Sequence, residues 1–127
     1  MKIRASAPHF FVKDIQRAVR FYVDVLGFEE PQVWGDCFAM PSRDGFIVML
    51  NQADPDYVKP NGSIDCWDAY FWCDDVDAFF EAIREKVDVV HGPEDREEYG
   101  MREVGIRDPD GYMLVFAHDL HPDESCP

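Results

Sequence analysis

Apolar positions recur along this chain at two spacings. Ile15, Ala18, Val19, Tyr22 and Leu26 follow one another at helical intervals, and Phe21 and Val25 widen the stripe. That pattern predicts an amphipathic helix. Asp14 stands ready to cap its first amides, and Gly27 to end it in a left-handed conformation. Val76, Phe79, Phe80, Ile83 and Val87 repeat the stripe behind a second aspartate, Asp75. Elsewhere the apolar residues alternate or bunch in short runs, as strands do. The runs are Pro8 to Lys13, Phe28 to Trp34, Cys37 to Met40, Phe46 to Leu50, Cys66 to Cys73, Val87 to Val90, Arg102 to Arg107 and Tyr112 to Ala117. Around the first, Ala7, His9 and Phe11 share one face, and Phe10 and Val12 the other.

Turn chemistry divides the late runs. In Asp108-Pro109-Asp110-Gly111, Asp108 can accept from nearby backbone amides, Pro109 pre-sets φ and Gly111 takes whatever φ the exit needs. Pro41-Ser42-Arg43-Asp44-Gly45 echoes it upstream. The helix caps lie 61 residues apart and the turn glycines 66. The halves therefore match if the second carries about five extra residues, most simply in a charged loop from Gly92 to Gly100. Each half reads βαβββ. One helix covers only one face of such a sheet. The expected fold is α+β, two βαβββ modules whose sheets curl around a shared cleft. All of it fits a single domain of 127 residues, with module one at about 3–52, a polar linker at about 53–63, module two at about 64–118 and a polar tail at 119–127.

Charge narrows the partners. Acidic residues outnumber basic ones, 26 to 12, for a net charge of −14. Such a field repels phosphate backbones and anionic lipid, so neither nucleic acid nor a membrane is an expected partner. No apolar run approaches the length that crosses a bilayer, and the first residues lack the apolar core of an export signal. Cys37, Cys66, Cys73 and Cys126 form no close pair. They read as reduced thiols packing in strands of a cytoplasmic protein.

Three stretches stand in one order between about Ile3 and His118. They are Val12-Lys13-Asp14-Ile15 running to Phe21-Tyr22-Val23-Asp24-Val25-Leu26-Gly27-Phe28, then Asp74-Asp75-Val76-Asp77, then Tyr99-Gly100-Met101-Arg102 leading to Asp108-Pro109-Asp110-Gly111. In these the chain resembles the vicinal oxygen chelate superfamily of glyoxalases, bleomycin-resistance proteins and extradiol dioxygenases. The resemblance implies a homodimer. In metal-dependent members it also implies a divalent ion held by His, Gln and Glu at four strand positions. Those positions fall here on Ala7, Met49, Asp68 and Val115. An alanine, a methionine and a valine cannot ligate a hard ion, and a lone carboxylate does not hold one. Neither a metal, a cofactor nor a catalytic residue is therefore expected. A displaced set drawn from His9, Asp68 and Glu103, with His91 in reserve, would instead make a divalent-metal-dependent lyase, isomerase or dioxygenase. Catalytic metals usually need about three protein ligands in good geometry.

Metal-free members that the chain resembles bind small molecules, in the manner of bleomycin resistance. The resemblance thus implies a planar or cationic ligand in an aromatic, acidic cleft. Its candidate contacts are His9, Phe38, Asp68, Tyr70, Trp72, Tyr99, Met101 and Arg102. With Asp68 inward, alternation puts Tyr70 and Trp72 in the cleft and Trp67 under the helices. Arg102 and Arg107 are expected in surface pairs with Glu97, Glu98 and Glu103. His118 and His121 are expected in a solvated tail. No Gly-x-Ser-x-Gly nucleophile and no Gly-rich phosphate loop is present.

Overall fold

The computed structural model describes residues 1–62 and 66–122. The chain forms two compact units, Met1–Lys59 and Pro60–Pro127.

In the first unit, β1 (His9–Val12) leads into α1 (Ile15–Arg20), which continues as a π-helical turn over Phe21–Val25. Asp14 Oδ1 accepts from the amides of Gln16 and Arg17 at 3.0 and 3.2 Å, satisfying donors that no helical carbonyl can reach. The stripe is buried as its spacing predicts, with Ile15, Ala18, Val19, Phe21, Tyr22 and Leu26 all in the core. Gly27 follows at φ +78°, and Arg43 Nη1 donates to the Leu26 carbonyl at 2.6 Å. Next come β2 (Val33–Trp34), β3 (Phe38–Ala39), the short hairpin of β4 (Ser42–Arg43) and β5 (Phe46–Ile47), and β6 (Met49–Gln52). The main sheet has the order β1-β6-β3-β2, with β1 parallel to β6.

Two predicted strands are shorter than expected. Before Val33, the run from Phe28 makes a single bridge, Glu29 to Ser42; Pro31 has no amide to donate. The run from Phe46 divides at Val48, whose amide turns to the Pro41 carbonyl, so that β5 pairs with β4 and β6 with β1.

The second unit holds β7 (Ala69–Trp72), α2 (Val76–Ile83), β8 (Asp88–Arg96), β9 (Met101–Arg107) and β10 (Met113–Asp119). Its sheet runs β7-β10-β9-β8, again with the first strand parallel to the last. Each unit is thus a βαβββ arrangement of the expected α+β class, the first with an added hairpin. Asp75 Oδ1 accepts from Ala78 N at 3.0 Å to start α2. On the helix side of the sheet, Phe71 stacks on Phe116 at 4.9 Å and Phe79 meets Phe116 at 4.5 Å.

The charged loop expected from Gly92 is a correction. β8 runs through Gly92-Pro93, which form a cis peptide, and reaches Arg96. Register shifts after Val89 and after His91 absorb the irregularity, as bulges do in an end strand of a sheet.

A second correction concerns His118. It belongs to β10, and its Nδ1 accepts from the Val76 amide at 2.9 Å at the start of α2. In the first unit Gln52 Oε1 accepts from the Ile15 amide, also at 2.9 Å. His121 is exposed, with Nε2 3.5 Å from Glu97.

Among the described residues the cysteines Cys37, Cys66 and Cys73 form no disulfide, and Cys37 is exposed rather than packed. Cys126, the end of the expected linker and most of the expected tail lie outside the described residues. No helix among the described residues is long and apolar enough to cross a membrane.

Candidate functional site

Alternation along β9 sends Arg102 toward α2, where its Nε reaches Asp77 Oδ1 at 2.9 Å, and turns Glu103 to the opposite face. Glu103 is 0% exposed. An ionised carboxylate survives such burial only when paired and hydrogen-bonded. Three elements meet that demand. Tyr70 of β7 donates its hydroxyl to Oε2 at 2.8 Å, and Tyr99 of the β8–β9 turn donates to Oε1 at 2.8 Å. Arg96, at the end of β8, places Nε 3.4 Å from Oε1 and also meets Glu94 at 2.8 Å. Burial, and then the hydrogen bond to Glu103, raise both phenols well above their usual range. Both hydroxyl protons are therefore held toward the carboxylate.

Rings surround this hub. Tyr70 lies 4.9 Å from Trp72 and 4.9 Å from Trp67, and Trp67 lies 6.4 Å from Tyr99. Trp72 is 72% exposed, Tyr99 45% and Trp67 40%, so these are surface rings backed by a buried polar group. The place of Trp67 departs from the expectation that it packs under the helices. It precedes the first paired residue of β7, so strand alternation does not govern it, and its carbonyl accepts from Asn61 Nδ2 at 2.7 Å.

Of the residues singled out from sequence, Tyr70, Trp72 and Tyr99 come together here. Met101 is buried in β9, on the same side of the strand as Glu103. Arg102 stands apart, bound to Asp77 and Asp95 rather than to Glu97, Glu98 or Glu103. Arg107 donates to the carbonyls of Gly111 and Gly62. Asp68 gives both oxygens to backbone, accepting from Asn61 N and Met113 N at 2.8 Å each. In the first unit His9 is exposed, edge-on to Phe11 at 4.9 Å, and Phe38 is half-buried against Trp34 at 5.9 Å.

The donor set does not fit a divalent ion at the four positions that family members use for one. Val115 is buried hydrocarbon, Met49 and Ala7 offer no hard donor, and Asp68 is committed to amides. Among the described residues no three His, Cys, Asp or Glu side chains gather as a metal site. Sequence reasoning missed Arg96, and weighed Glu103 only as a displaced ligand or surface partner. The signal was there. Glu103 is a carboxylate set between Met101 and Gly105 on one face in the middle of the strand.

The chain belongs to the Glyoxalase/Bleomycin resistance protein/Dioxygenase superfamily, whose family model matches residues 6–116. Its fold is similar to that of TioX from Micromonospora sp. ML1, 27% identical with a TM-score of 0.71 over 92% of this chain and 99% of that one. TnmS3, an antibiotic binding protein from Streptomyces sp. CB03234, is 23% identical, with a TM-score of 0.70 over 93% of this chain and 97% of that one. The bleomycin-binding protein of Streptomyces verticillus, solved with copper(II)-bleomycin, is 21% identical, with a TM-score of 0.67 over 91% and 96%. No curated protein matches the chain.

Proposed function

We propose that this protein binds a planar, cationic small molecule on the aromatic face of its second unit, with no metal required. The observation that carries the reading is the ring group of Trp67, Trp72 and Tyr99, exposed at the surface around the half-buried Tyr70, with both phenols anchored by Glu103. Exposed indole and phenol faces offer area for stacking and an electrostatic attraction for a cation. The net charge of −14 favours the approach of cations over anions. Two solved structures of the same fold carry names that state antibiotic or bleomycin binding. We take the working form to be a homodimer, since each sheet ends in strands, β1 and β2 or β7 and β8, that a second copy can extend.

Calorimetric titration of the full chain with 10-methylacridinium, a planar cation, tests the binding reading. Saturable binding that weakens in Trp72→Ala supports it; no heat beyond dilution sinks it. Light scattering tests the assembly, with a mass near twice 14.7 kDa expected.

A further inference from the structure

Resting on that reading, we infer that the aromatic face selects planar ligands whose polar edge carries N–H donors, and disfavours those whose edge only accepts. A free phenol is two-sided, able to donate one hydrogen bond and accept another. Tyr70 and Tyr99 are not free in this sense. Each has its one proton directed to Glu103, at 2.8 Å, and burial of that carboxylate leaves it no water to turn to instead. Arg96 lies 3.4 Å from the same carboxylate and 2.8 Å from Glu94, so its charge is paired within the hub. At the two phenol oxygens, what remains to a ligand lying against these rings is lone pairs. Only a donor can use them. Glu103 is then a positioning residue, which sets the polarity of the site through Tyr70 and Tyr99.

The ligand class that results is a planar aromatic amine or aminium, held by ring faces and by N–H to phenol oxygen contacts. A ligand carboxylate or ketone finds no proton at either phenol.

The test compares two dyes of the same ring shape and charge by calorimetry on the intact protein. 9-Aminoacridinium carries N–H donors and 10-methylacridinium has none. The expected result is that the first binds about tenfold more tightly, the range of one or two hydrogen bonds to a charged donor. In the double variant Tyr70→Phe/Tyr99→Phe the ratio of the two affinities falls to about one, whatever happens to the affinity for 10-methylacridinium itself. Glu103→Gln narrows the preference too, because its amide donates to one phenol and frees that proton. If either variant fails to fold, the ratio of the two dye affinities in the unmodified protein decides alone. Equal affinities in the unmodified protein, or a preference that survives Tyr70→Phe/Tyr99→Phe, overturn the inference and leave the stacking site standing. If neither dye binds, the inference and the proposed function both fall.

Discussion

Gln52 and His118 hold the same place in the two halves of the chain. Gln52 pairs with Val12 in its parallel ladder, and His118 follows Ala117, which pairs with Trp72. Each sends a side-chain acceptor to the first amide of its own helix, at 2.9 Å. Helix-opening amides have no partner within the helix. Asp14 and Asp75 satisfy the next ones, so each helix start is tied both locally and to the last strand of its sheet.

The bond made by His118 is expected to be worth about what a helix cap is worth. His118→Ala should lower unfolding free energy by about 1 kcal/mol. His118→Gln, which installs the first unit's solution, should stay within about half of that loss. Urea denaturation of the three proteins checks both, and an unchanged midpoint in His118→Ala would show the bond to be idle.

Asp108 gives the fold a dependence on pH. Burial pushes its carboxyl up to about 7, aided by the charges of Asp110 and Asp68 and opposed by the amides of Tyr112 and Asp110. The folded state then holds a proton that the unfolded chain has released between its ordinary 3.8 and about 7. Stability from this group is present below that window and is lost as pH rises through it, by up to about 1.4 kcal/mol per pH unit. Asp108→Asn keeps Oδ1, which accepts both amides. The variant should match the unmodified protein near pH 4 and exceed it at pH 8, as read by thermal melts across that range. A gap that does not change with pH would refute this.

Gly92 admits no side chain. It lies at φ +82°, and an added Cβ would stand 2.3 Å from the Glu103 carbonyl and 3.0 Å from Glu94 N, both backbone atoms that cannot swing away. Gly92→Ala should cost about 2–4 kcal/mol, combining a left-handed conformation with a backbone clash. Chemical denaturation measures the loss. Because the clash is with Glu103 itself, near-ultraviolet circular dichroism of the surrounding tyrosines should change as well.

Trp72 should behave in the opposite way. At 72% exposed it contributes little to the core, so Trp72→Ala should leave stability within about 0.5 kcal/mol. The same change should weaken binding of 10-methylacridinium by about tenfold, the value of one stacked ring against a cation. Melting temperature and calorimetry on one preparation separate the two effects.

Much of this architecture is written locally. Asp14 and Asp75 cap the helices they were expected to cap, because a cap depends on residues within three positions. The buried stripe of α1 follows from spacing alone. What escaped depends on distant partners. The Val76 amide lies 42 residues from His118, and nothing near His118 in sequence announces it. Tyr70 reaches Glu103 across 33 residues, so the hub becomes visible only once β10 separates β7 from β9. Gly92-Pro93 reads as a break in any short window, yet an end strand tolerates it. Trp67 was misallocated for a related reason, since alternation holds only where a strand is paired.

The ladders also show where the two halves differ. Trp72 and Glu103 flank Ala117 in the second sheet, and Phe11 and Phe38 flank Asn51 in the first. Phenylalanine therefore stands where its twin keeps an acid. The two halves share one plan, but at this place in the ladder only the second carries an acid, and that inequality is encoded in one residue pair. A chimera made of the second half twice would inherit two such acids, and one made of the first half twice would inherit hydrocarbon in both.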